Sequence, residues 1–135
     1  MVYIEQITPQ LTWRLRRDML YPAKTALEME MEEDQDGIHF GAFKEDKLVA
    51  VVSLFNQGTE FQFRKLAVDS SMQKKGIGND ILKYITEYAR ENGGTKIWCN
   101  ARVSAIDFYF KAGFKLSGKP FSKNGFDYEI MEKQL

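Results

Sequence analysis

Residues 60–90, EFQFRKLAVDSSMQKKGIGNDILKYITEYAR, constrain this chain more than any other stretch. Phe61, Phe63 and the run Leu66-Ala67-Val68 have the apolar and aromatic content of a buried strand. From Ile77 onward, Ile77, Ile81, Leu82, Ile85, Tyr88 and Ala89 recur at the spacing of one helical face. Between strand and helix lie Gly76 and Gly78, next to Lys74 and Lys75. The first-turn amides of a helix have no intrahelical acceptor, its dipole favours negative charge there, and glycine lets an anion approach the backbone. The pattern therefore suits a phosphate ligand, set against the plainer reading of a glycine-rich turn that only starts a helix. A dinucleotide fingerprint would need a third glycine where Ile81 stands, and a Walker A loop would need Lys-Ser/Thr where Asn79-Asp80 follow Gly78.

The remaining composition narrows the function classes. A length of 135 residues predicts a single domain over 1–135 with a core of its own. Nineteen Lys+Arg against nineteen Asp+Glu leave no basic footprint for nucleic acid. The segment MVYIEQITPQ shows no cationic and apolar signal pattern, and the apolar run 48–55 is far shorter than the ~20 residues of a spanning helix. The single Cys99 excludes an internal disulfide and a Cys-based zinc cluster. The expectation is a cytoplasmic protein with no membrane, nucleic-acid or metal partner.

Taken in order, Val2–Ile7 reads as a strand closed by Thr8-Pro9. Leu11–Tyr21 reads as a helix with Thr12 as its cap, ended by Pro22, and a second helical piece runs from Ala23 to Met31. The acidic run Glu28, Glu30, Glu32, Glu33, Asp34 and Asp36 reads as a solvated face, or as a funnel for a cationic amine. Ile38–Phe43 and Leu48–Phe55 form a hairpin around Lys44–Lys47, and Asn56–Thr59 turns into the strand Glu60–Val68. After the long helix, Asn92-Gly93-Gly94 stops it and Lys96–Ala101 is a strand. The intervening helix makes that strand run parallel to Glu60–Val68. Ser104–Asp107 has the form of a capping box for a short helix ending at Gly113. Phe114–Ser117 and Phe126–Glu132 close the chain as a hairpin around Gly118-Lys119-Pro120 and Asn124-Gly125.

Two motifs in this order carry a family resemblance. The first is Leu66-Ala67-Val68 followed by Gln73-x-x-Gly76-x-Gly78, with Leu82 in the helix. The second is Asn100, then Ala105-x-x-Phe108-Tyr109, then Gly113-Phe114. Together they resemble the GNAT superfamily of acetyl-CoA-dependent N-acetyltransferases, most closely from Ile38 onward. The resemblance implies an α/β (α+β) GNAT fold, with a mixed, mostly antiparallel sheet of six to seven strands and helices on both faces. A central parallel pair would splay into a wedge for the cofactor. It implies acetyl transfer from acetyl-CoA directly to a primary amine of a small molecule, peptide or protein. It also admits a homodimer.

The same resemblance distributes roles. Amides of Lys75, Gly76, Ile77 and Gly78 would hold the pyrophosphate, with Gln73, Lys74 and Asn79 lining the loop. Main-chain groups of Leu66, Ala67 and Val68 would hold the pantetheine arm and point at the thioester oxygen. Asn100 would touch the arm, and Tyr109 would protonate the leaving thiolate as general acid. Leu11–Asp36 and Leu116–Phe126 would build most of the acceptor side. An amine with a pKa near ~10.4 also needs a base at neutral pH. Where several members carry a strand carboxylate, this chain has Gln62, and Glu60, two residues earlier on the same strand face, is the nearest carboxylate. His39 is the lone histidine, and Cys99 reads as a small buried hydrophobe rather than a nucleophile. Trp13, Tyr21 and Phe121 read as pocket aromatics or as core. Two alternatives stay open at this point, a non-catalytic CoA or acyl-CoA sensor and a transferase for a longer acyl group.

Overall fold

The computed structural model describes residues 2–135. Seven strands form one sheet: β1 (Tyr3–Ile7), β2 (Ile38–Lys44), β3 (Lys47–Gln57), β4 (Glu60–Val68), β5 (Lys96–Arg102), β6 (Lys115–Lys123) and β7 (Phe126–Gln134). Their order is β1-β2-β3-β4-β5-β7-β6. The pairs β1–β2, β2–β3, β5–β7 and β6–β7 are antiparallel, while β4 and β5 are parallel, with Glu60, Phe61 and Gln62 opposite Lys96, Ile97 and Trp98. Three α-helices accompany them: α1 (Trp13–Leu20), α2 (Ile77–Glu91) and α3 (Ile106–Lys111). This mixed sheet with one parallel pair is the arrangement expected from the sequence. No helix among the described residues is long and apolar enough to cross a membrane.

The backbone contacts divide the chain into two compact units. The first takes the chain up to Phe55 together with Phe63–Ile85. Leu15 of α1, Val51 of β3 and Ala67 of β4 meet at its centre, with Ile7, Met19, Leu20 and Leu48 packed around them. Ile77, Ile81, Leu82 and Ile85 of α2 are at most 4% exposed, as the helical stripe requires. The second unit takes Asn56–Gln62 and Thr86–Leu135. It buries Phe61, Ala89, Ile97, Cys99, Ala101, Tyr109, Phe114 and Met131.

Several boundaries differ from expectation for local physical reasons. The first helix opens as a 3-10 turn over Pro9–Thr12, and the Thr12 hydroxyl donates back to the Pro9 carbonyl at 2.6 Å instead of capping α1. The helical piece expected over Ala23–Met31 is reduced to a 3-10 turn at Leu27–Met29, with a second 3-10 turn following at Glu32–Asp36. The Met29 carbonyl is taken by the Arg16 guanidinium at 2.9 Å, a tertiary partner, and the Met31 amide is taken locally by the Asp34 carboxylate at 3.0 Å, which caps the turn at Glu32–Asp36. Ser104 does not cap α3; Ala105 occupies the cap position without a side-chain bond, after a 3-10 turn at Val103–Ala105. Gly118-Lys119-Pro120 is not a turn. It lies in an irregularity within β6, where the register shifts between Leu116 and Pro120, and the hairpin closes only at Asn124-Gly125.

Candidate active site

In the first unit, β4 carries a backbone irregularity at Lys65, which holds φ +58° in mid-strand. A residue with a Cβ rarely adopts this left-handed region, and it does so most often at bulges and functional sites. Leu66 and Val68 follow half-buried, with Ala67 buried between them. The Asp69 amide then bonds the Val49 carbonyl at 2.8 Å, and its carboxylate accepts from the Ser71 amide and hydroxyl at 3.0 and 2.7 Å. This turns the chain out of the strand into the loop.

The loop itself is exposed from Gln73 to Gly76. The Gln73 amide nitrogen donates to the Val68 carbonyl at 3.0 Å, tying the loop to the end of β4. Lys74 (φ +61°) and Gly76 (φ +84°) both adopt left-handed backbone, and a Cβ at Gly76 would meet nothing within 4 Å. Glycine is thus required there by backbone angle, and the space beside it is open. The Asp80 amide bonds the Gly76 carbonyl at 3.0 Å, so the amides of Ile77, Gly78 and Asn79 precede the first helical bond of α2. Ile77, 4% exposed, anchors the start of the helix. Open space, orphan amides, two adjacent lysines and a fifteen-residue helix dipole suit a pyrophosphate.

In the second unit, Asn100 lies exposed on β5 opposite Ile130 of β7. Tyr109 of α3 is 8% exposed, with Phe114 edge-on at 5.9 Å and Phe108 at 5.1 Å between ring centroids. Burial pushes its phenol well above the ordinary tyrosine range, and the neighbouring Cys99 adds a smaller push, so Tyr109 carries its proton at neutral pH. Cys99 is 2% exposed and burial pushes its thiol up to about 12. It is a protonated core thiol at neutral pH, which does not suit a nucleophilic relay. Glu60 begins β4, exposed, with its carboxylate 3.4 Å from Lys96 Nζ. Phe121 stacks on Tyr128 at 5.0 Å.

A family model described as Acetyltransferase (GNAT) domain matches residues 7–135. The chain belongs to the GNAT acetyltransferase family. It is 25% identical over 145 aligned positions to the N-acetyltransferase YitI of Bacillus subtilis (strain 168), itself uncharacterized, covering 100% of this chain and 97% of that protein. Among solved structures, this GNAT acetyltransferase superposes on the IAA acetyltransferase of Bacillus cereus ATCC 14579 with a TM-score of 0.80 at 22% identity, covering 100% of both chains. A GNAT family acetyltransferase of Elizabethkingia anophelis with acetyl-CoA bound gives 0.79 at 18% identity, covering 99% of this chain and 98% of that one. These likenesses share the fold.

Two arrangements in this GNAT acetyltransferase had no sequence signal. The first is a buried network. Arg16, 1% exposed, donates to both Asp34 oxygens at 2.9 Å, to the Met29 carbonyl at 2.9 Å and to Ser53 Oγ at 2.8 Å. His39 Nδ1 meets Ser53 Oγ at 2.7 Å and His39 Nε2 meets the Asp34 carbonyl at 2.9 Å. A carbonyl only accepts, so Nε2 bears a hydrogen, while Ser53 Oγ accepts from Arg16 and shares a hydrogen bond with Nδ1. His39 is therefore an engaged core residue, and Asp34 departs from the solvated face expected of the acidic run. The second is Lys65 Nζ, which donates to the Tyr21 hydroxyl at 2.5 Å and lies 4.5 Å from the Tyr21 ring centroid.

Proposed function

We propose that this chain transfers the acetyl group of acetyl-CoA directly to a primary amine of a small molecule, peptide or protein. The observation that carries the reading is the turn at Gln73–Gly78. It is open, left-handed at Gly76, flanked by Lys74 and Lys75, and followed by α2 amides that have no intrahelical partner. Acetyl-CoA supplies an acyl carbon activated as a thioester, with a diphosphate by which the molecule can be held.

The chain's own residues divide the work. Amides of Lys75, Gly76, Ile77 and Gly78 bind the pyrophosphate, while Gln73, Lys74 and Asn79 line it. Leu66, Ala67 and Val68 offer main-chain groups to the pantetheine arm, and an amide there stabilises the thioester oxygen as charge develops. A donor of that kind lowers the barrier by roughly 3–4 kcal/mol. Asn100 contacts the arm. Tyr109 donates a proton to the departing thiolate; its burial keeps the phenol protonated, the state a general acid needs. A carboxylate at Glu60 is held by Lys96 at the exposed start of β4.

The test is release of free thiol from acetyl-CoA by purified protein against a panel of amines, with cofactor affinity measured by calorimetry. Turnover with at least one amine is expected. Tight cofactor binding without turnover on any amine would favour a sensor, and faster turnover of propionyl or succinyl thioesters would favour a longer acyl group.

A further inference from the structure

Making a neutral amine from an ammonium is the step for which the expected strand position offers no group, since Gln62 cannot take a proton. His39 is 2% exposed with both ring nitrogens engaged. The first unit holds another proton-handling pair, Tyr21 and Lys65. Tyr21 follows α1, and its amide is fixed by the Arg16 and Arg17 carbonyls at 3.2 and 3.0 Å. Its hydroxyl accepts from Lys65 Nζ at 2.5 Å, and both side chains are half-buried. Lys65 reaches it from a left-handed backbone position that strains a residue with a Cβ. That strained residue immediately precedes Leu66, whose main chain is assigned to the thioester, and Tyr21 lies within the segment 11–36 assigned to the acceptor side.

We propose that Tyr21 is the base that takes a proton from the acceptor ammonium, with Lys65 as the positioning residue that holds its phenol oxygen in the anionic form. This rests on the acetyl-transfer reading above. In the step, an acceptor N–H bond breaks and a Tyr21 O–H bond forms. The electron pair stays on nitrogen as the nucleophile, and ammonium plus phenolate become amine plus phenol. Tyr21 returns its proton to solvent before the next turnover. Burial is the main influence on Lys65 and lowers its pKa, while the bond and attraction to Tyr21 oppose that. A phenolate alongside makes the pair neutral overall, which offsets the cost of a half-buried ammonium. The other charged groups acting on Lys65 are Arg64 of β4 and Arg16 of α1. Arg64 is paired with Glu33 at 3.0 Å and Arg16 with Asp34 at 2.9 Å.

Two measurements test it. An ultraviolet difference titration of the protein without cofactor reads tyrosinate directly. One tyrosine should ionise below the ordinary value of about 10, be absent in Tyr21→Phe, and move upward in Lys65→Met. The pH profile of kcat/KM for an accepted amine is the second. Tyr21→Phe should lose about 10²-fold at pH 7, with the loss shrinking as pH approaches the acceptor's own pKa. Lys65→Arg should restore most of what Lys65→Met loses. A folding defect would lower the rate equally at all pH, and melting curves of the variants report it separately. An active wild type in which Tyr21 titrates at or above the ordinary value, or a loss in Tyr21→Phe that does not vary with pH, overturns the base assignment alone. A shifted Tyr21 in a protein that acetylates no amine overturns the acetyltransferase reading, and the base assignment with it.

Discussion

Asp34 and Arg16 illustrate how one residue pair can decide the course of a segment. Both are buried, at 4% and 1% exposure, and the doubly hydrogen-bonded pair draws residues 29–34 onto β2 and β3 through Met29, Ser53 and His39. Removing one partner of such a pair leaves the other charge buried, so Asp34→Asn should destabilise the protein by about 3–5 kcal/mol, read by denaturant unfolding. Burial pushes the Asp34 pKa up, but the Arg16 and Met31 hydrogen bonds outweigh it and hold the pKa below the ordinary 3.8. The stabilisation is therefore complete above that value and is lost as pH falls below it toward the lowered pKa. Stability measured from pH 6 downward should fall below about pH 4 in the wild type, and this part of the fall should vanish in Asp34→Asn. At Tyr109, loss of the proton donor with retention of the ring should separate catalysis from packing. Tyr109→Phe should lower kcat by about 10²-fold while changing the KM for acetyl-CoA far less, as steady-state kinetics would show. The place of Tyr109 on a short helix before Gly113 was legible because that spacing is local. The contact of Tyr21 with Lys65 was not, the two being 44 residues apart and joined by a backbone angle that a lysine codon does not announce.

Among the elements, those with a strong period stand where the sequence put them. β4 spans Glu60–Val68 as read, and α2 buries the isoleucine and leucine stripe. The weakly periodic Ala23–Met31 did not become a helix: the Met29 carbonyl is taken by Arg16, and Met31 instead serves as the cap of the next 3-10 turn through Asp34. The β2–β3 turn shows the converse, a tight connection made by unsuited residues. Glu45 and Asp46 carry φ of +51° and +66°, the two-residue geometry that favours Asn-Gly. Replacing them with Asn-Gly should stabilise the protein by about 1 kcal/mol, raising Tm by about 4 °C in calorimetry. The exposed bond from the Tyr3 hydroxyl to Asp46 would be lost, which offsets little. In the loop before α2, Gly76→Glu should abolish CoA binding, because it adds a carboxylate and strains φ +84° where the diphosphate is to sit. Unchanged affinity by calorimetry would reject that placement.

For the molecule as a whole, a ligand that binds only the folded state adds stability by mass action. CoA at one hundred times its Kd should add about 2.7 kcal/mol, visible as a rise in Tm that Gly76→Glu erases. The alternation of strands and helices, the parallel β4–β5 pair and the phosphate-suited turn were determined by the sequence alone. Periods of two and 3.6 residues and a glycine at a left-handed bend act over a few neighbours, and a helix between two strands makes them parallel. Which carboxylate of the acidic run enters the core, and which phenol receives an ammonium, was decided only in the tertiary structure. Locally, Asp34 accepts from the Met31 amide at 3.0 Å, and that bond does not by itself bury it. It is buried because a guanidinium eighteen residues away reaches it, and the energy of a buried charge depends on partners that the fold alone brings within 3 Å.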